Sequence, residues 1–425
     1  MSKDLRPLLL PYGGTSSTPS DWARLITDLF PDIWRRGRRL MHVLTIPAAA
    51  KSYEPLQVFE SERLLFALVR DPSKYESQSE TYASAVIMRL AFGKSIDEPD
   101  TESLGRKVLH LVHTVERVAS PWSYLVDTFT CLLRLSSWMA PFKQEAQRLH
   151  KSELQLFRQL QADVREDMRD GELRESFTRT FLERQSEFGL SNNEGSYVIG
   201  TLFEAGAGTT AAAMTSFCLA MCHSPFWQEK LHEEVDRVAT DDRTPDFDDL
   251  PNLPTVRAIV KEVLRWRPVT AGGVPHQLIK DDSYEGFFLP PGTIVHANQW
   301  AIHREIVLYP GPEEFNPLRW LSPDYPTFRE PLTKFPNLQA YSAFGFGRRI
   351  CPGLNVAERS LKLLVARLGW ACRVEKKPGV EVPWYDYTTG FNVQPKPFDF
   401  NLNARSDTRA KVVESTWRDR KDPAG

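Results

Sequence analysis

Ser196 to Met221 is the stretch that most limits how this chain can fold. Glu204 is its one charged side chain. Apolar residues fall on every side of a 3.6-residue period, which predicts a helix buried all round. Such a helix needs other elements against each of its faces, hence a large core, and a chain of 425 residues is long enough to supply one. Gly206 and Gly208 sit inside the helix at about 1 kcal/mol each relative to alanine. That expense points to a close contact or a local distortion.

Around this helix the pattern is mostly helical. Apolar residues recur at three-to-four spacing over 58–92, over 104–118 and over 144–170. Ser224-Pro225 predicts a new helix through Ala239, with Ser224 as N-cap and proline at the first position. Pro254 to Trp266 predicts another, closed by Pro268. Between 267 and 345 prolines cluster and long periodic runs stop, so short strands and ordered coil are expected. Helix returns from Pro352 to about Trp370, and 373–403 alternates in places as strands do. Residues 1–33 are rich in Pro, Gly, Ser and Thr and predict a poorly organised N-terminal segment. Residues 404–425 predict an exposed polar tail. The expected fold is mainly α with small β-sheets, as one domain over 34–403.

Composition narrows the function. The net charge of −2 gives no electrostatic case for nucleic acid. Five cysteines, an odd number with no C-x-x-C pair, argue against a disulfide framework or structural zinc and favour an intracellular setting. No run of about 20 apolar residues suggests a membrane span, and no secretory signal opens the chain.

The chemistry concentrates in Phe344-Gly345-Phe346-Gly347-Arg348-Arg349-Ile350-Cys351-Pro352-Gly353. Its three glycines let the backbone turn tightly and approach a flat ligand. Cys351 stands just before a helix start, where free N–H groups favour a thiolate, and Arg349 can pair with an anionic group. This run resembles the haem-binding signature of the cytochrome P450 family, F-G-x-G-x-R-x-C-x-G, at every specified position. The resemblance implies haem b with Cys351 as axial thiolate and metal ligand. It implies Arg349 on a propionate, Phe344 shielding the sulfur, and Gly347 and Gly353 shaping the cradle.

Further motifs extend the resemblance over roughly 33–403. Glu262-Val263-Leu264-Arg265 resembles the family's E-x-x-R, and Pro317-Leu318-Arg319-Trp320 its P-x-R-[FW]; together they imply a buried triad of Glu262, Arg265 and Arg319. Ala205-Gly206-Ala207-Gly208-Thr209-Thr210 resembles [AG]-G-x-[DE]-T-T, where a threonine hydroxyl helps deliver protons beside oxygen. Thr209 and Thr210 match. Gly208 stands where the acid should be, and Glu204, one turn earlier, is the candidate substitute. Trp34-Arg35-Arg36-Gly37-Arg38 resembles W-x-x-x-R, which implies Trp34 and Arg38 on propionates. The basic cluster from Arg35 to His42 would suit an acidic electron-donor protein. TAGGVPH (270–276) resembles a strand along the haem edge and brings in His276, whereas His303 reads as structural. Phe203, Ala205, Gly206, Val269, Val274, Phe391 and Val393 are the expected substrate contacts.

The implied activity is insertion of one oxygen atom from O2 into a hydrophobic organic substrate, with electrons from NADPH through a reductase. WRRGRRLMH, RWRPVTAGGVPHQ and NQWAIHRE resemble fungal enzymes of secondary metabolism. Two rival readings remain. A dinucleotide-binding dehydrogenase would use Gly206-Ala207-Gly208-Thr209-Thr210-Ala211 as G-x-G-x-x-A, which needs a βαβ unit. A catalytically inactive haem-binding remnant would follow if the N-terminal portion of the fold is missing. Relatives of this type usually carry an endoplasmic-reticulum anchor and further chain ahead of W-x-x-x-R, and neither is expected here. Removing Gly14 to Pro31 would leave P-Y-G-D-I-W-R and restore the family's spacing, so residues 14–31 read as a translated intron.

Overall fold

The computed structural model describes residues 5–7, 31–96, 111, 113–114, 117–118, 120, 123–127, 129–171, 174–328 and 342–420. Its principal helices are α1 (Pro31–Thr45), α2 (Glu54–Arg70), α3 (Tyr75–Phe92), α4 (Pro141–Arg169), α5 (Phe177–Glu183), α6 (Asn192–His223), α7 (Pro225–Val238), α8 (Pro254–Trp266), α9 (Leu354–Ala371) and α10 (Asp407–Asp419). The strands are β1 (Leu5–Pro7), β2 (Pro275–Leu278), β3 (Asp282–Tyr284), β4 (Phe287–Leu289), β5 (Ile294–His296), β6 (Cys372–Lys376) and β7 (Phe400–Ala404). Except for Pro31, the 14–31 segment lies outside the described residues, as does most of the helix expected over 104–118.

Two compact units emerge. The first comprises Met1–Ile46, Ile87–Ala205 and Gly272–Asn298. Its antiparallel sheet runs β1-β2-β5, with Leu5 opposite Leu278 and His276 opposite Val295. β1 and the start of α1 are the described parts of 1–33, the segment expected to be poorly organised. Hairpin β3-β4 turns through Glu285 and Gly286, both at positive φ (49° and 85°), the geometry of a two-residue primed turn. Helix α6 starts in a reciprocal cap. The Ser191 amide donates to Glu194 at 2.7 Å and the Glu194 amide to the Ser191 hydroxyl at 3.3 Å. Two of its glycines are notches for aromatic rings. A Cβ on Gly195 would lie 2.1 Å from Phe181, and one on Gly200 2.4 Å from Phe157.

The second unit comprises Pro47–Val86, Gly206–Ala271 and Gln299–Gly425. Asp71-Pro72 divides the 58–92 pattern into α2 and α3, since proline cannot continue the ladder. Helix α8 has the bounds that the sequence predicts, Pro254–Trp266. Helix α7 starts at Pro225 as expected, but the Ser224 side chain caps nothing. The polar tail is corrected to a helix, α10. Ser406 caps it by accepting from the Arg409 amide at 3.2 Å. Val413 and the Arg409 side chain are buried, and Trp417 meets Phe59 of α2 at 5.3 Å between centroids.

Helix α6 is continuous over 32 residues, Asn192–His223. Residues 198–203, which the dehydrogenase reading needs as the strand ahead of the glycines, are part of this same helix. Among the described residues this one helix is long and apolar enough to cross a membrane, and 78% of its apolar window is buried in protein.

Candidate active site

The second unit carries the cysteine loop. Gly345 and Gly347 adopt positive φ (82° and 57°), which a side chain would resist. The Gly345 amide donates to the Ser342 carbonyl at 2.9 Å, and the Cys351 amide donates back to the Phe344 carbonyl at 2.8 Å, closing the loop. Helix α9 begins three residues after Cys351. Cys351 is exposed, and a Cβ on neighbouring Gly353 would stand 3.8 Å from its sulfur. Three other cysteines are buried. Burial pushes the Cys222 and Cys372 thiols up to about 12 and that of Cys218 higher still. Those three are inert small hydrophobes. An accessible sulfur at a helix start, on a loop shaped by two left-handed glycines, fits a thiolate ligand for haem iron. Cys351 would hold the iron and Arg349 a propionate.

Glu262, Arg265 and Arg319 meet, each fully buried. Arg265 binds both carboxylate oxygens of Glu262, at 2.9 and 2.8 Å, and Arg319 adds a contact at 3.2 Å. Two further donors escaped the sequence reading, the Trp320 indole at 3.0 Å and the Asn316 amide at 2.9 Å. The remaining Arg265 hydrogens go to the carbonyls of His303, Pro312 and Glu314. Every charge is thus both opposed and hydrogen-bonded, the condition for a buried ion cluster to hold. His303 links the cluster to the cysteine loop, its Nε2 lying 2.8 Å from the Ser342 hydroxyl. Burial first, then the charges of Arg265 and Arg304, push His303 down to about 3, so it is neutral. The spacing of three residues in E-x-x-R is visible in sequence; the reach from His303 to Ser342 has no sequence signal.

On α6, Thr210 and Glu204 are buried, Thr209 is half-buried and Ala205 exposed. The Val393 amide donates to the Val269 carbonyl at 2.7 Å, and Thr270 donates to the Asn392 side chain at 2.9 Å. Two expected substrate-contact segments of the second unit are thereby joined, with Phe391 and Val393 half-buried.

The first unit holds the other expected residues. Trp34 and Arg38 lie half-buried on α1, His276 half-buried on β2, and Val274 just ahead of that strand. The basic cluster of α1 is not all solvated. Arg36 donates to the Gly189 carbonyl and Arg39 to the Glu187 carbonyl, both at the end of the short helix Gln185–Phe188. Both guanidinium groups keep their charge, but their positions are fixed by these contacts. Phe203 is corrected from substrate contact to core. It is 0% exposed, and its ring stands edge-on to Phe92 at 5.7 Å between centroids.

Comparison with known proteins agrees with this geometry. The family model described as cytochrome P450 matches residues 25–402. Cytochrome P450 monooxygenase virE of Hypocrea virens is 32% identical over 391 residues, covering 91% of this chain and 71% of its own length. Cytochrome P450 monooxygenase 113 of Postia placenta is 33% identical over 90% of this chain and 74% of its own. Cytochrome P450 monooxygenase psoD of Aspergillus fumigatus is 33% identical over 90% and 75%. A zebra fish cytochrome P450 solved with abiraterone aligns with a TM-score of 0.68 at 22% identity, over 88% of this chain and 82% of that one, which shows a shared fold. With the cysteine loop, the buried triad and these matches in agreement, the chain belongs to the cytochrome P450 family of haem-dependent monooxygenases.

Proposed function

We propose that this protein inserts one oxygen atom from O2 into a hydrophobic organic substrate, a polyketide, terpenoid or indole derivative of fungal secondary metabolism. Electrons would come from NADPH through a reductase inside the cell. The observation that carries this reading is the exposed Cys351 thiol on its glycine-hinged loop at the start of α9. Haem iron bound to that sulfur supplies the O2-activating chemistry, because thiolate electron density favours O–O cleavage.

The chain's own residues do the rest. Cys351 would supply negative charge to the iron, and the hydrogen bond that its amide donates to the Phe344 carbonyl fixes the backbone that carries the sulfur. Arg349 would hold a haem propionate, and the family resemblance gives Trp34, Arg38 and His276 of the first unit the same role. The Glu262 cluster, tied to Ser342 through His303, keeps the loop in place. Thr209, with Glu204 one turn earlier, holds the proton to be delivered. Val269, Phe391 and Val393 of the second unit would exclude water around an apolar substrate, a role the family resemblance also gives Val274, and the shortage of charge in these segments supports it.

The reduced protein treated with carbon monoxide is expected to show the strongly red-shifted Soret band of thiolate ligation. Cys351→His should keep haem and lose that band. Persistence of the band in Cys351→Ala would overturn the assignment.

A further inference from the structure

A cleft of about 360 Å³ lies in the second unit among the short 3-10 helix Phe247–Asn252, the start of α8 and the first turns of α9. Small-molecule sites begin at about 300 Å³, so the cleft has room for a small ligand and little more. The short helix is fixed by its own acids. The Phe247 amide donates to Asp246 at 2.7 Å and the Asp246 amide to Asp249 at 2.8 Å. Asp249 in turn accepts from Arg243 at 2.7 and 3.0 Å, so its charge is already answered.

The lining is of two kinds. Phe247, Leu250, Leu253 and Val256 are apolar, the first two half-buried and the last two buried. Arg257, Arg359 and Lys362 are cationic, and Glu358 is the one acid among the lining residues. Arg359 is paired with Glu54, and Lys362 with Glu358 at 2.6 Å. Arg257 is exposed and has no ion pair among the described residues. Lys261, one turn along α8 from Arg257, stands over the Trp320 ring at 5.3 Å. Burial first, and then the charges of Arg257 and Lys362, push its ammonium down to about 8 against the pull of Glu358. Four cations, Arg257, Lys261, Arg359 and Lys362, thus meet two acids, Glu54 and Glu358. An anion in the cleft would answer the excess. The start of α8 takes no part in this, because Glu234 already accepts from the Thr255 amide at 2.9 Å and the Val256 amide at 3.2 Å.

We infer that this cleft binds a small organic carboxylate with an apolar body, its anion against Arg257 and Lys362 and its body on Phe247 and Leu250. A bare anion would leave the apolar wall wet. A neutral apolar ligand would leave the cations facing one another. The two walls together therefore select a ligand that has both halves. No contact in this site involves haem, so the inference stands apart from the monooxygenase reading.

The test is calorimetric titration of the haem-loaded protein with cinnamate, an aromatic carboxylate, with imidazole saturating the iron to keep cinnamate from it. Cinnamate should bind at one site, and severalfold more weakly in Arg257→Glu and in Leu250→Asp. Arg257 is exposed and unpaired, so Arg257→Glu should keep the haem spectrum and unfolding midpoint of the parent. Cinnamamide has the same body without the charge, and acetate has the charge without the body. Each should bind severalfold more weakly than cinnamate. Equal binding by the parent and a normally folded Arg257→Glu would overturn the proposal, as would cinnamamide or acetate matching cinnamate. A parent that ignores cinnamate but loses reductase affinity in Arg257→Glu would overturn it too, and would make the cleft a protein contact instead.

Discussion

Two glutamates in this molecule are buried to the same degree and treated in opposite ways. Glu262 receives four donor groups, from Arg265, Arg319, Trp320 and the Asn316 backbone. Glu153 receives none from the described residues, and its carboxyl is held protonated by burial. Surrounded by cations, a buried carboxylate becomes a cross-link between α8 and the 311–320 coil. Left without them, the same side chain keeps its proton. Burial alone therefore does not say whether an acid keeps its proton; its donors do.

The contrast can be broken at its strong end first. Glu262→Ala leaves Arg265 and Arg319 buried without a counter-charge, which should cost about 3–5 kcal/mol. Urea unfolding of the haem-loaded protein would read this as a large fall in midpoint.

The Glu153 end should give a smaller effect with a sign that depends on pH. The folded protein keeps this proton after the unfolded carboxyl, near 4.5, has lost its own. The native state binds more protons over the window from about 4.5 to 8, so its stability falls as pH climbs through it, by on the order of a few kcal/mol. Glu153→Gln should lose that slope, gaining on the parent most at pH 8. If the variant keeps the slope, the contrast between the two acids fails.

Trp320→Phe removes one indole donor from Glu262 and should cost about 1.5 kcal/mol while leaving the pH slope intact. Ser342→Ala, the mildest change, severs His303 from the cysteine loop. It should cost about 1 kcal/mol and show as faster haem loss to an acceptor protein.

Sequence and structure agree where one local signal decides the outcome. Pro254 at the first position and Pro268 after the end set the limits of α8 to the residue. The absence of charge from Ser196 to Met221 marked α6 as buried. The cysteine loop was legible because its glycines, arginine and cysteine lie within ten residues. The Glu262 cluster was legible only in part. Glu and Arg three apart look like any surface pair, and the Trp320 and Asn316 donors arrive from more than fifty residues away. Glu153 could not be seen at all, because α4 is charged throughout and one inward acid among many outward ones leaves no mark in the pattern. The α10 helix was missed for a related reason. Its buried face is one valine, one tryptophan and the aliphatic stem of Arg409, too little apolar surface to stand out from a polar tail.

The notch at Gly200 has one more consequence. Phe157 fills the place where a methyl group would go, so the thickness of that one ring sets how closely α4 approaches α6. Gly200→Ala would act as a shim. It would add no charge and touch neither acid, yet it would push Phe157 outward, lift the turn carrying Glu153 with it, and admit water to a carboxyl that is now dry. The protonation of Glu153 is thus adjustable by spacing alone, one methyl group at a time, through a residue with no titratable group.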